Sequence, residues 1–140
     1  EYTAGDVFGV YQTFTFTGPL GIAIPHGSLI RILGTELRIN HTALVSSEGA
    51  YTLHLYTAPP GTIADNVAHA VAAVDLPSYV GSLAVGTPVD LGAALFVKSA
   101  ALTHDVPLVA DKLYGFLVNA ATITPTAVAR QVTLLGAVHG

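Results

Sequence analysis

Residues 12–17, QTFTFT, alternate apolar and polar side chains with a period of two. Only an extended strand sends successive side chains to opposite faces, so Phe14 and Phe16 are expected on one face and Thr13, Thr15 and Thr17 on the other. The pattern recurs. ELRIN turns Leu37 and Ile39 inward and Glu36, Arg38 and Asn40 outward, and AYTLHLYTA sets Tyr51, Leu53, Leu55 and Thr57 against Thr52, His54 and Tyr56. SLIRIL, VDLG, AALFVKS, DVPLVA, KLYGFLVNA and RQVTLLGAVH complete a set of short extended runs separated by Gly, Pro and Asn-rich turns. Such runs predict an all-β chain, an antiparallel β-sandwich of jelly-roll type. GPLG breaks the first strand, the GT at 34–35 is expected to turn the chain after SLIRIL, and ELRIN and AYTLHLYTA to form a hairpin around a polar loop.

Residues 63–83, IADNVAHAVAAVDLPSYVGSL, depart from the alternation. Their alanine content and Asp65 as N-cap predict a short helix over about 66–73, which Pro77 must end, with LPSYVG as a further single turn. A crossover loop between two sheets is the natural place for such a segment. With 140 residues the chain is one domain by size: residues 1–12 read as an extended N-terminal arm and residues 13–140 as a single jelly-roll sandwich. There is no cysteine, which excludes disulfides, thiolate metal sites and cysteine nucleophiles.

Charge is the unusual component. Asp, Glu, Lys and Arg make up 10% of the residues, against about 25% in ordinary domains. A chain of this mass exposes about 6,800 Å² when folded, so its charges are spread at less than half the usual density. Five basic residues and a net charge of −4 give no phosphate-binding face, so nucleic acid is not an expected partner. Residues 7–30 carry no charge, yet Gln12, two prolines, several glycines and the alternating TFTFT core are incompatible with a membrane helix. A surface poor in charge that does not enter lipid is expected to be covered by other protein subunits, because obligate interfaces resemble a core cut in half.

No motif supplies catalytic chemistry. His26, His41, His54, His69, His104 and His139 are isolated in sequence, with no His-x-His pair to aim two imidazoles from one strand at a metal. GIAIPHG has some likeness to a cupin motif but lacks the histidine and asparagine that should follow. Gly-x-Ser-x-Gly and Gly-rich phosphate loops are missing, and Asp65, Asp75, Asp90, Asp105 and Asp111 read as caps or turn residues. Arg38, His41, Glu48 and His54 suggest a convergent site, but the alternation explains them as polar positions of the hairpin. The expectation is no catalytic residue, no metal and no cofactor. Six tyrosines without tryptophan leave a carbohydrate-binding jelly-roll module as the alternative.

Several consecutive phrases, GTELRINHTAL, AYTLHLYTAPPGTIADN, VDLGAALFV and KLYGFLVNAATITPTAVARQVTL, resemble the small β-sandwich structural proteins encoded in tailed-bacteriophage head modules. The pattern runs L-x-L-Y-x-A-x-P into I-A-D-N, then LYGxLV and TP before a last strand, over about residues 28–136. The resemblance implies a virion protein: a capsid decoration, or cement, subunit on the outer surface of the head. It would act as a homo-oligomer, a homotrimer by expectation, with the major capsid protein as partner. The same fold serves in tail and baseplate components. On that view the N-terminal arm lies across a neighbour, with Tyr2, Phe8 and Tyr11 as its partner-binding residues.

Overall fold

The structure is a computed structural model that describes residues 1–25, 27–42, 48–99, 104–108, 110–125 and 128–138; His26 and His139 lie outside them. Among the described residues the strands are β1 (Gln12–Thr15), β2 (Leu29–Ile39), β3 (Tyr51–Tyr56), β4 (Tyr79–Gly86), β5 (Val89–Asp90), β6 (Leu95–Ser99), β7 (His104–Pro107), β8 (Lys112–Asn119) and β9 (Arg130–Val138). They form two antiparallel sheets packed as a β-sandwich. One has the order β1-β8-β3-β4. In the other, β2 is central: β9 runs along one side of it, β6 and β7 share the other side, and β5 lies outside β6.

The alternation is expressed as predicted where strands form. Phe16 is buried and Phe14 half-buried while Thr13, Thr15 and Thr17 are exposed, and Leu53 and Leu55 enter the core beneath the β3 backbone. Ile30, Ile32, Leu37 and Ile39 from one sheet meet Leu53, Leu55, Leu83, Leu113 and Leu117 from the other. Each such fully buried aliphatic side chain stabilises the fold by about 1.5–3 kcal/mol.

Four local expectations are corrected. The GT at 34–35 does not turn the chain: β2 runs through it, and a β-bulge between Ile32 and Gly34 makes Leu33 an extra residue opposite β9. The bulge explains the sequence, since inward positions are even before it (Ile30, Ile32) and odd after it (Thr35, Leu37, Ile39). A one-residue slip reverses faces, and a turn and a bulge leave the same mark in the pattern. Second, β2 and β3 are not a hairpin. Both sides of β2 are taken by β9 and by β6 with β7, and β3 lies between β8 and β4, so the intervening chain crosses from one sheet to the other.

Third, residues 66–73 are not helical. Their backbone pairs with the N-terminal segment instead: Val7 N–H donates to Val67 O at 2.9 Å, Asn66 N–H to Val7 O at 2.9 Å and His69 N–H to Gly5 O at 3.0 Å. The 3-10 turn at Leu76–Ser78 is the single turn expected of LPSYVG. Fourth, Tyr79–Gly86 is a full strand, β4, hidden in the sequence by its small residues; Gly81 and Gly86 take positive φ angles of 128° and 103° where the register with β3 shifts.

Residues 2–8 lie on their own sandwich. Phe8 N–H donates to Leu117 O at 2.9 Å, Gly5 N–H to Asn119 O at 2.8 Å, and Tyr2 and Ile123 exchange bonds at 2.8 and 2.9 Å. The segment thus continues the β1 side of β8, an edge otherwise open among the described residues.

Candidate functional site

The residues expected to face a partner are divided by this arrangement. Val7 and Phe8 flank the β8 edge, so alternation sends Val7 to the outer face and Phe8 into the core, where it is 9% exposed. Phe8 is therefore a packing residue of its own domain here. Tyr2 stacks on it with ring centroids 4.4 Å apart, and the Tyr2 hydroxyl donates to the Asp65 carboxylate, 2.7 Å from both oxygens. Burial and that carboxylate push Tyr2 up to about 12, and the hydrogen bonds from Tyr2 and the Gly9 N–H hold Asp65 below the usual carboxyl range. Tyr2, Gly9, Gln12, Asp65 and Arg130 line a cleft of about 510 Å³. Tyr11 lies elsewhere: half-buried, it meets Tyr114 and Phe116 edge-on at 5.8 and 6.0 Å on the outer face.

Arg38, His41, Glu48 and His54 do not converge. Arg38 pairs with Glu36 on its own strand, at 3.1 Å. Glu48 instead turns inward to a residue that sequence patterns did not single out. Its side chain is 1% exposed and lies 3.7 Å from the Arg130 guanidinium, itself 7% exposed. Tyr51 bridges them, donating to Glu48 Oε1 at 2.5 Å and accepting from Arg130 Nε at 2.8 Å. Burial is the main reason the Tyr51 hydroxyl is pushed far above its ordinary range, so it serves as a neutral bridge. Arg130 also donates to Val128 O at 3.2 Å and sits 5.0 Å over the Phe8 ring. This polar cluster clamps β9, β3 and the chain entering β3 together; in the sequence Arg130 shows only as a charge at the start of the last strand, with no sign of its burial.

Isolation in sequence does not persist for two histidines. His54 on β3 and His69 on the β3–β4 connection stack with centroids 3.8 Å apart and planes at 19°. Each also shares a hydrogen bond with a tyrosine, His54 Nδ1 with Tyr79 at 2.9 Å and His69 Nε2 with Tyr56 at 2.9 Å. Burial, with His54 adding to it, lowers His69 to about 4, and burial lowers His54 as well. Parallel rings project their lone pairs side by side rather than at one point, which does not suit shared metal ligation. Among the described residues no three His, Cys, Asp or Glu side chains are grouped to hold a metal ion.

The exterior carries the remaining candidate surface. All five cations are paired within the chain: Arg31 with Asp105, Arg38 and Lys98 with Glu36, Lys112 with Asp111, Arg130 with Glu48. An accessible surface of 7128 Å² includes Val10, Leu20, Ile22, Val74, Leu76 and Leu91, each more than 60% exposed. Among the described residues β1 and β9 each pair on one side only, with β8 and β2. Along the seam between them run two grooves of about 550 and 240 Å³, lined by Phe14, Phe16, Pro19, Val132, Leu134 and Val138 among others. Between Gln131 and Val138, β9 has no charge and no proline, the usual devices that keep a strand edge from pairing. No helix among the described residues is long and apolar enough to cross a membrane. Compared with protein-family models, curated proteins and solved structures, the chain finds no match.

Proposed function

We propose that this protein is a non-enzymatic structural component of a virion, a capsid decoration subunit of jelly-roll type that binds the outer surface of an assembled bacteriophage head. The observation that carries the proposal is the exterior: exposed aliphatic side chains, cations neutralised in place, and two strand edges without protective charge. Such a surface gains by being covered with protein. The nested pairing of β2 with β9 and of β3 with β8 supports the jelly-roll part of the proposal.

The mechanism is mass action. A subunit that binds only the assembled shell stabilises the shell by its free energy of association. A homotrimer bridging several copies of the major capsid protein gains further, because its second and third contacts are intramolecular. The test is a native mass measurement together with co-sedimentation on purified heads and on free coat subunits. The expected result is three times the 14.4 kDa chain mass, with binding to heads alone. A monomer at high concentration that binds neither heads nor tails overturns the proposal. The cleft that gathers Tyr2, Gln12 and Asp65 favours the carbohydrate-binding alternative, which a glycan array tests directly.

A further inference from the structure

The β3–β4 connection and the N-terminal segment hold each other in place. Besides the three backbone bonds joining residues 5–7 to 66–69, Asp65 accepts from Tyr2 and from the Gly9 N–H, the latter at 2.6 Å. Together they cover the outer face of the β1-β8-β3-β4 sheet. There Ile63 and Val71 of the connection, with Val7 of the N-terminal segment, pack with Tyr56, Phe116 and Val118. The polar side-chain fastening between this cover and the sheet is His69, stacked on His54 of β3 and hydrogen-bonded to Tyr56 of β3.

We propose that the stacked His54–His69 pair is a proton-operated latch: neutral, it holds the β3–β4 connection on the sheet; protonated, it releases that connection while the N-terminal segment stays on β8 through its own backbone bonds.

The geometry supplies the reason. Two neutral imidazoles stack favourably face to face, whereas two imidazolium ions 3.8 Å apart repel. In an imidazolium both nitrogens donate, so each bond then persists only with the tyrosine oxygen as acceptor, and repulsion between the charged rings is what opens the latch. The other titratable groups facing the pair are Tyr56, Tyr79 and Asp75, the last acting on Tyr56. Burial pushes Tyr56 up to about 12 and Tyr79 upward, so both stay neutral in acid. Asp6, paired through its backbone with Ala68, gives its carboxylate to the Thr3 N–H and hydroxyl, each at 2.7 Å. Tyr11 and Tyr114 join the cluster through Phe116 and Tyr11. Among the described residues no carboxylate bonds either imidazole, so nothing compensates a proton arriving there.

The sign follows from the lowered affinity of the closed state for protons. His69 released into solvent returns to about 6.5, above its value of about 4 when closed. The latch is thus fully closed above about 6.5 and weakens as the pH falls toward 4. Discounted for the half-exposed ring, the opening constant rises roughly tenfold between pH 7 and pH 5.

Hydrogen exchange on the whole chain, corrected for intrinsic rates, tests this. Amides of residues 61–75 are expected to lose about tenfold in protection between pH 7 and pH 5 while those of Gly5 and Phe8, bonded to β8, and of β2 and β9 keep theirs. His69→Gln, which retains a hydrogen-bonding group but cannot titrate, is expected to abolish the dependence. Unchanged protection, loss from β2 and β9 at the same pH, or an acid response persisting in His69→Gln overturns the proposal. If that variant does not fold, the imidazole proton resonances of the wild type decide: a His69 midpoint below about 5 supports the latch, and one near 6.5 overturns it.

Discussion

Replacing Glu48 with glutamine removes one interior charge and little else. The amide oxygen still accepts from Tyr51, but Arg130, 7% exposed, keeps its desolvation cost and loses its counter-ion. At the observed 3.7 Å and an effective dielectric of about 20, the pair attracts by about 4–5 kcal/mol. Breaking a buried pair from one side costs about 3–5 kcal/mol; the retained Tyr51 bridge places Glu48→Gln at the lower end, about 3 kcal/mol. Set against a total stability of about 5–15 kcal/mol, that is a large fraction. In urea, with a slope of about 2 kcal/mol/M, the midpoint falls by about 1.5 M. Arg130→Met removes the orphaned charge, so the double variant is expected to recover about 2 kcal/mol relative to the sum of the single effects. Added salt should change little, since screening hardly reaches a buried pair. A loss below about 1 kcal/mol, or single effects that simply add, would refute the assignment of Glu48 and Arg130 as an internal pair.

Thr35 is fully buried and its hydroxyl finds no partner among the described residues; Thr35→Val is expected to raise stability by about 1 kcal/mol, measured by thermal or urea unfolding. A Cβ at Gly115 would lie 3.0 Å from Leu53 Cδ1 and 3.1 Å from the His54 carbonyl oxygen, so Gly115→Val is expected to cost about 2 kcal/mol or more, because the backbone cannot yield. Deleting Leu33 removes the extra residue and brings Leu37 and Ile39 into one unbroken alternation with Ile30 and Ile32; the expected outcome is a retained fold by circular dichroism, and loss of the folded state would refute the reading of Leu33 as a bulge. Asp65→Asn weakens an exposed fastening and is expected to cost less than about 1 kcal/mol while speeding proteolysis near residues 1–9. Because Asp65 is held below its ordinary range, its contribution is present above about 3.9 and fades as the pH falls below that value.

Strands were legible in the sequence because their period is local: QTFTFT, ELRIN and YTLHLY state their own faces, and burial follows them except at Tyr56, which lies on the outer face of β3 yet is buried beneath the β3–β4 connection. β4 was not legible, since Gly81, Ser82, Ala84 and Gly86 carry too little side chain to show a phase. Asp65 looks like a helix cap in sequence, yet its carboxylate binds Tyr2 and the Gly9 N–H across the fold. Local propensity in an alanine-rich run is weak beside pairing with residues 5–7, which satisfies its backbone groups.

By itself the sequence determined the fold class and the sparsely charged exterior, because alternation and composition are properties of neighbouring residues. Tertiary structure alone decided which strands share a sheet, that Leu33 is a bulge rather than a turn, that Glu48 meets Arg130, and that His54 stacks on His69. Those contacts join residues far apart along the chain, and each depends on which strand edges and interior positions remain after every other strand has paired.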